Sequence, residues 1–103
     1  MSVQKYKIQI LNLLSKIPIG KVTTYGAIAK SLHISSPRLV GNILHHNTDP
    51  QHFPCHRVVF ANGNLSTSYA FGGIKQQKER LQHEGVTFIK NRVNLVLHLH
   101  PSI

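Results

Sequence analysis

Apolar residues recur at helical spacing along the first part of the chain. Between residues 3 and 17 they stand three or four positions apart, with polar residues between them. This spacing predicts an amphipathic helix, because one side of a helix then carries all the apolar side chains. Those side chains belong to Val3, Tyr6, Ile10, Leu13, Leu14 and Ile17. Pro18 cannot continue a helix, so we expect this one to end just before it.

Two shorter helices are predicted to follow, joined by a tight turn. The first begins at Thr23 or Thr24, since a threonine hydroxyl can accept a hydrogen bond from the first turn of a helix. Its inner face carries Tyr25, Ile28, Ala29 and Leu32. The second begins at Ser35-Ser36-Pro37, which combines a hydroxyl cap with a proline in the first turn, and continues to about residue 47.

The helix predicted for residues 37 to 47 has two different faces. Leu39, Val40, Ile43 and Leu44 fall on one side, and Arg38, Gly41, Asn42 and His45 fall on the other. Two short helices, the second with a basic and side-chain-poor outer face, are typical of a helix-turn-helix that reads DNA. An ordinary solvated helix face is the alternative.

The second half of the chain combines a loop, a short strand and one more helix. Residues 48 to 57 contain Pro50 and Pro54 and show little periodicity, which predicts a loop. Val58-Val59-Phe60 predicts a strand, or a hairpin that turns at Asn62-Gly63, before the polar stretch Ser66-Thr67-Ser68-Tyr69. A further helix should run from Gly72 or Gly73 to Glu84 and end at Gly85.

The C-terminal segment alternates apolar and polar residues. Residues 86 to 89 precede a turn at Lys90-Asn91-Arg92, after which Val93, Leu95, Leu97 and Leu99 alternate with polar residues. This pattern predicts a hairpin, and behind a helix-turn-helix such a hairpin resembles a wing. We therefore predict a mainly α fold, a winged helix-turn-helix-like single domain over residues 1–103 with short β-hairpins.

Length and composition limit the function classes. With 103 residues, of which 41% are apolar, the chain can build one core but no separate cofactor domain, which excludes a multidomain enzyme. No apolar run is long enough to span a bilayer, and no apolar signal stretch precedes a cleavage site. We expect a protein without membrane contact, in the cytoplasm beside the nucleoid or, in a eukaryote, in the nucleus.

The charge of the chain is strongly positive. Twelve lysines and arginines stand against three acidic residues, Asp49, Glu79 and Glu84, for a net charge of +9 with neutral histidines. Such a surface attracts polyanions and favours nucleic acid as the partner.

Cys55 is the only cysteine, so no internal disulfide can form. A single cysteine is often only a small buried apolar residue. Here, however, His56 and Arg57 follow it directly. A cysteine reacts as its thiolate, so His56 could take the thiol proton while Arg57 adds positive potential. One of the three carboxylates, at Asp49, Glu79 or Glu84, would orient the imidazole.

A zinc site is another possible use of this region. Its ligands would come from His45, His46, His52, Cys55 and His56. These residues lack the two-pair spacing of structural zinc motifs, so we predict no metal.

The segment Pro54-Cys55-His56-Arg57-Val58-Val59 resembles the active-site motif of the O6-alkylguanine-DNA alkyltransferases. The resemblance extends from about Ile8 to Phe88 and includes four further matches. These are Gly20-Lys21-Val22-Thr23-Thr24-Tyr25-Gly26, Pro37-Arg38-Leu39-Val40-Gly41, Asn47, and Gly72-Gly73 followed by Glu84-Gly85. The resemblance implies a monomeric, cofactor-free DNA repair protein whose partner is double-stranded DNA containing O6-alkylguanine.

The resemblance also implies a single-turnover methyltransferase reaction. The Cys55 thiolate would attack the carbon attached to O6 of a flipped guanine, forming a thioether and releasing guanine. His56 would act as the base through a bridging water, and Glu84 would fix the tautomer and orientation of its ring. Tyr25 would assist base flipping and donate a hydrogen bond or proton to the guanine.

The remaining site residues implied by the resemblance bind DNA or support the pocket. Arg38 would fill the vacated stack from a helix-turn-helix docked in the minor groove, and Gly41 would let backbone and DNA approach closely. The predicted DNA-binding residues are Arg38, Gly41, Asn42, Tyr25 and Thr24. The predicted pocket and supporting residues are Asn47, which would brace the cysteine turn, with Pro54, Arg57, Val58 and Tyr69.

Two other functions stay open. We expect the chain to lack the amino-terminal domain of full alkyltransferases, as do the short alkyltransferase-like proteins, which commonly carry tryptophan in place of the cysteine. Residues 83 to 89 are also closer to those short proteins. A protein of that kind would bind the lesion without chemistry and pass it to excision-repair proteins. A transcriptional helix-turn-helix regulator would explain the charge but not the motif around Cys55.

Overall fold

The computed structural model describes residues 3–66 and 69–101, so Thr67 and Ser68 of the predicted polar stretch lie outside it. Its helices are α1 (Val3–Leu14), α2 (Tyr25–Ser31), α3 (Pro37–His45), α4 (Gly73–His83) and the single turn α5 (Leu95–His98). The strands are β1 (Thr23–Thr24), β2 (Val58–Val59), β3 (Phe88–Ile89) and β4 (Arg92–Val93), and a 3₁₀ turn covers Cys55–Arg57. No helix within the described ranges is both long and apolar enough to cross a membrane.

Helix α1 ends at Leu14, three residues earlier than predicted. The backbone N–H of Ile17 bonds to Leu14 instead of continuing the α-helical pattern, because the chain tightens before Pro18. Ile10, Leu14 and Ile17 are nevertheless fully buried. The predicted apolar face is therefore confirmed for these residues, while the side chain of Val3 lies outside the described part of the chain.

Helices α2 and α3 form the predicted helix-turn-helix. The Thr24 hydroxyl accepts a hydrogen bond from the N–H of Ala27 at 3.0 Å, and the Ser36 hydroxyl accepts one from Arg38 at 3.2 Å. Pro37 occupies the first turn of α3, as its lack of an N–H allows. Val40, Ile43 and Leu44 of the predicted inner face are buried and Leu39 is partly buried. The predicted polar face points outward, with Gly41 partly exposed. The helix ends at His45, before the predicted residue 47.

Strand β2 does not form a hairpin across Asn62-Gly63, so that alternative is wrong. It pairs in parallel with β1, with Thr23 opposite Val58. Both valines are completely buried, which suits a strand covered on its two faces rather than an exposed hairpin arm. A turn does occur at Asn62-Gly63, where the N–H of Gly63 bonds to Phe60.

The two valines of β2 point into different apolar clusters. Val58 joins the cluster under α1, α2 and α3, and Val59 joins a smaller one that includes Val22, Leu81 and Val93. Successive strand side chains point to opposite faces, so a two-residue strand can serve both clusters. Composition alone predicts one core, and the structure divides it at β2.

In the C-terminal segment the predicted hairpin forms, but the second half of the segment is not a strand. Strands β3 and β4 form the expected antiparallel hairpin, with Phe88 opposite Val93. The alternating residues after Val93 are not a strand, because the carbonyl of Asn94 accepts from both Leu97 and His98 and so begins α5. Val96 is consequently 95% exposed.

Residues 98–100 are bonded to the segment that leads into β1. Val22 donates to the carbonyl of His98 and accepts from the N–H of His100, both at 2.8 Å, and forms a bridge with Leu99. The His98 ring adds a contact of Nδ1 with the carbonyl of Gly20 at 3.0 Å. The first and last parts of the fold are therefore held together.

Gly63→Ala is expected to lower the free energy of unfolding by about 2–3 kcal/mol. Gly63 has a positive φ of 87°, and an added Cβ would lie 2.7 Å from the carbonyl oxygen of Val93. Gly26→Ala is the matched control, since no atom lies within 4 Å of its added Cβ. Urea unfolding measures both variants, and equal midpoints would contradict the predicted strain at Gly63.

Candidate functional site

Cys55 begins the 3₁₀ turn and is only 5% exposed. Its N–H donates to the carbonyl of Phe53 at 2.8 Å, and the same carbonyl accepts from Asn47 Nδ2 at 2.7 Å. Asn47 Oδ1 also accepts from the N–H of Asp49 at 3.0 Å. The buried Asn47 side chain thus fixes the loop that ends at the thiol, and the buried Pro54 leads into the turn.

His56 and Arg57 both bond to the carboxylate of Glu84. His56 Nε2 donates to Glu84 Oε2 at 2.9 Å. Arg57 binds both carboxylate oxygens, through Nε at 2.9 Å and Nη2 at 2.6 Å, and its Nη1 donates to the carbonyl of Ile17 at 2.7 Å. Of the three acidic residues considered for orienting His56, the structure therefore places Glu84 there. Asp49 instead contacts His52 at 2.8 Å.

The protonation states follow from burial and from these bonds. Burial raises the pKa of Glu84, but hydrogen bonds from Arg57 and His56 outweigh it, so the pKa lies below its ordinary value. Burial lowers the pKa of His56, although Glu84 favours the charged ring. At neutral pH the imidazole is therefore neutral, with the Nε2 proton held by Glu84. His56 Nδ1 is then a buried acceptor without a hydrogen-bond partner among the described residues.

The Cys55 thiol is not pre-ionised by its surroundings. Burial raises its pKa, while a hydrogen bond with Asn47 and the positive charge of Arg80 oppose that effect only in part. The sequence suggested that His56 and Arg57 would increase the thiolate fraction, whereas in the structure burial has the larger effect on the pKa of the thiol and raises it. The arginine whose charge acts on the thiol is Arg80, an exposed residue of α4.

Sequence reasoning missed two residues of α4, Gln77 and Arg80. Gln77 is 1% exposed, and its Nε2 donates to the carbonyls of His56 and Val58, both at 3.0 Å. Its Oε1 accepts from the N–H of Ser66 at 3.1 Å. Gln77, Arg80 and Glu84 stand three and four residues apart and so share one helix face. Their register with Glu84 is the sequence signal that could have identified them.

Tyr69 and Val58 lie beneath the site. Val58 is fully buried in the core. Tyr69 packs its ring against Phe71 at 5.8 Å, and its hydroxyl has no hydrogen-bond partner among the described residues. Burial raises the pKa of Tyr69 to about 12. Neither residue lines the cavity that opens beside α3.

A cavity of about 650 Å³ opens beside the outer face of α3. Its walls come from α2, α3 and the loop after β2. The lining residues are Tyr25, Gly26, Pro37, Arg38, Gly41, Asn42, His45, Phe60, Ala61 and Ser66. The cavity brings together four of the five residues predicted to contact DNA; the fifth, Thr24, uses its hydroxyl to cap α2.

Tyr25 lines this cavity and is influenced electrostatically by Cys55. Its ring lies 5.2 Å from that of Phe60, and a Cβ at Gly41 would lie 3.6 Å from Tyr25 Cε1. Burial raises the pKa of Tyr25, a hydrogen bond with Ser66 lowers it, and proximity to Cys55 raises it further. The ring therefore lines the cavity, and its phenol interacts electrostatically with Cys55.

A zinc site is not formed by the residues that the structure describes. They contain no group of three or more histidine, cysteine or acidic side chains that could hold a metal ion. His52 contacts Asp49 and His56 contacts Glu84, so two of the residues considered for zinc have other partners.

Comparison with known sequences gives consistent relatives. Alkyltransferase-like protein 1 of Schizosaccharomyces pombe is 36% identical over 87 residues, which are 84% of this chain and 81% of the relative. A methylated-DNA-protein-cysteine methyltransferase of Methanocaldococcus jannaschii is 36% identical over 96 residues, covering 93% of this chain but 55% of the relative.

Comparison with solved structures agrees. The S. pombe alkyltransferase-like protein, in complex with damaged DNA containing O6-carboxymethylguanine, has a TM-score of 0.84 and 31% identity, with 98% of this chain and 100% of that chain covered. The O6-methylguanine methyltransferase of Mycobacterium tuberculosis has a TM-score of 0.67 and 32% identity, with 77% and 47% covered. The chain spans about half the length of these two methyltransferases.

The family profile described as the DNA binding domain of 6-O-methylguanine DNA methyltransferase matches residues 5–86. With the fold, the helix-turn-helix and these relatives in agreement, the chain belongs to the 6-O-methylguanine DNA methyltransferase DNA-binding domain family.

Proposed function

We propose that this protein repairs O6-alkylguanine in DNA by transferring the alkyl group to Cys55. The observation that carries the proposal is the arrangement of a cysteine directly before a neutral histidine whose Nε2 donates to a partly buried carboxylate. A nucleophile, a base and a group that orients the base are the parts that such a transfer needs. Membership of the methyltransferase family supplies the substrate class.

The proposed reaction begins with a protonated thiol. His56 Nδ1 accepts the thiol proton, directly or through water, and Glu84 stabilises the imidazolium that forms. The sulfur attacks the carbon attached to O6, the carbon–oxygen bond breaks, and a carbon–sulfur bond forms. The released guanine takes up one proton, so the thiol proton lost from Cys55 is balanced. The thioether is stable, and each molecule therefore reacts once.

Cys55 is too deeply buried to meet a base inside a duplex. The target guanine must leave the stack and enter the protein, which costs a few kcal/mol and is cheapest for a damaged, poorly paired base. The outer face of α3 would lie against DNA with Arg38 at its centre, and the net charge of +9 would attract the phosphates. We expect the protein to act as a monomer, without a cofactor.

Lesion recognition without chemistry is the second candidate. It is favoured by the coverage of the S. pombe alkyltransferase-like protein, of which the chain spans 81%, against about half for the methyltransferases. The raised pKa of Cys55 also favours it, because little thiolate is present at neutral pH. In that function the flipped base would mark the site for excision-repair proteins.

Incubation with duplex DNA containing O6-methylguanine is expected to add one methyl group to Cys55. Intact-mass spectrometry should show the replacement of one hydrogen by one methyl, and peptide mapping should locate it. Cys55→Ala should abolish the transfer and keep DNA binding. Tight lesion binding without a mass change would establish the second candidate instead, and equal binding to lesion and plain duplex would exclude both.

The reaction of Cys55 with iodoacetamide should become faster as pH rises past the ordinary range of a thiol. The reason is that the thiolate reacts and burial raises the pKa of Cys55. Arg80→Gln should move the pH profile to higher pH, because the Arg80 charge lowers that pKa, and Arg80→Lys should restore it. Lys75→Gln removes an equal charge from α4 as the control. Identical profiles for Arg80→Gln and the wild type would contradict the assignment.

Arg38→Ala is expected to weaken binding to lesion DNA more than the loss of one phosphate contact would. One phosphate contact corresponds to about one unit of the slope of log affinity against log salt. If Arg38 fills the vacated stack, part of its contribution should persist at high salt, where exposed charges are screened. Lys30→Ala, an exposed cation on α2, is the control. A loss that vanishes at high salt would reduce Arg38 to a phosphate contact.

A further inference from the structure

Phe60 is an exposed aromatic residue on the wall of the main cavity. It directly follows β2, and it is 45% exposed. Its ring centroid lies 5.2 Å from that of Tyr25, with the ring planes tilted by 45°. Both rings line the cavity of about 650 Å³. Two aromatic rings thus border the same opening, and a large part of one of them is in contact with solvent.

The backbone of Phe60 is fixed on both sides. Its N–H donates to the carbonyl of Asn64 at 3.0 Å, and its carbonyl accepts from the N–H of Gly63 at 2.8 Å. The carbonyl of Gly63 in turn accepts from the N–H of Val93 on β4 at 2.9 Å. The β3–β4 hairpin therefore holds the tight turn that carries Phe60, and the ring keeps its place at the opening.

The surroundings of Phe60 indicate the chemistry of its ligand. Arg38 and His45 line the same cavity from the outer face of α3, on a chain with a net charge of +9. Aromatic rings within a positively charged groove are the arrangement by which proteins hold unstacked nucleobases, since the cations bind phosphate and the rings stack on the base. An apolar peptide would leave the positive charge of Arg38 unused.

We propose that Phe60, together with Tyr25, forms an aromatic wall against which an extruded nucleobase stacks. This inference rests on the proposed function in one respect, namely that a base leaves the duplex. The wall replaces part of the stacking energy that the base loses in the duplex. It is distinct from the reaction centre, because Cys55 does not line the cavity.

Phe60→Leu and Phe60→Tyr test the aromatic wall. Leucine keeps an apolar side chain but removes the ring, and tyrosine keeps the ring. Fluorescence anisotropy should show that Phe60→Leu weakens binding to O6-methylguanine duplex by about 5- to 150-fold, the range that corresponds to one stacking contact. Binding to the plain duplex should change little. Phe60→Tyr should bind both duplexes as the wild type does.

Ile89→Ser is the control, since Ile89 is 58% exposed and lies outside the cavity. Thermal unfolding of each variant separates binding from stability. Equal lesion affinity for Phe60→Leu and the wild type would overturn the inference. Equal losses for the leucine and tyrosine variants, or an equal loss on plain duplex, would overturn it as well.

Measuring the mass of the protein after each incubation distinguishes a failure of the aromatic wall from a failure of the proposed reaction. Anisotropy measures binding and needs no alkyl transfer. If the wild type prefers lesion DNA but its mass is unchanged, the transfer fails while a selective loss in Phe60→Leu still supports the aromatic wall. If transfer occurs and Phe60→Leu binds normally, the reaction stands and the aromatic wall fails.

Discussion

The shared carboxylate of Glu84 is the interaction on which the site depends. It ends α4, accepts from His56, and pairs with the planar fork of Arg57, which also reaches the chain segment after α1. A half-buried carboxylate with two cationic or donor partners is well satisfied, whereas loss of one partner leaves charge behind in a poorly solvated place. This one carboxylate therefore fixes the tautomer of His56 and joins the end of α4 to the 3₁₀ turn.

The surroundings of Cys55 and His56 favour the neutral forms of both side chains. Burial favours the uncharged forms of both the Cys55 thiol and the His56 ring. Proton transfer between them creates two charges, and Glu84 and Arg80 are placed to interact with the imidazolium and the thiolate respectively. In the proposed transfer, the poorly solvated surroundings that suppress the free thiolate would also strengthen the attraction between these charges.

Local features of the fold could be predicted from the sequence, and long-range pairings could not. The caps at Thr24 and Ser36 and the outer face of α3 depend on residues within one or two turns. The parallel pairing of β2 with β1 joins segments far apart in sequence, and Val58-Val59 is too short to specify a partner. The alternation of apolar and polar residues after Val93 does not distinguish a strand from a helical turn. The turn forms because the carbonyl of Asn94 accepts hydrogen bonds from Leu97 and His98. At the site, the motif indicates Cys55 and His56. Only the packing of α4 shows that Arg57 pairs with Glu84 and that Gln77 donates a hydrogen bond to the carbonyl of His56.

The bonds between the chain end and Val22 have a consequence for how the protein folds. Val22 meets Leu99, and the adjoining β1 meets β2, so the centre of the molecule forms only when distant parts of the chain have come together. Contacts of this kind are slow to form, because the entropy of closing long loops is lost before any packing is gained. During that interval Cys55 is an ordinary solvent-exposed thiol, open to any electrophile. The long-range closure of the chain therefore also shields the thiol, which is only 5% exposed in the folded protein.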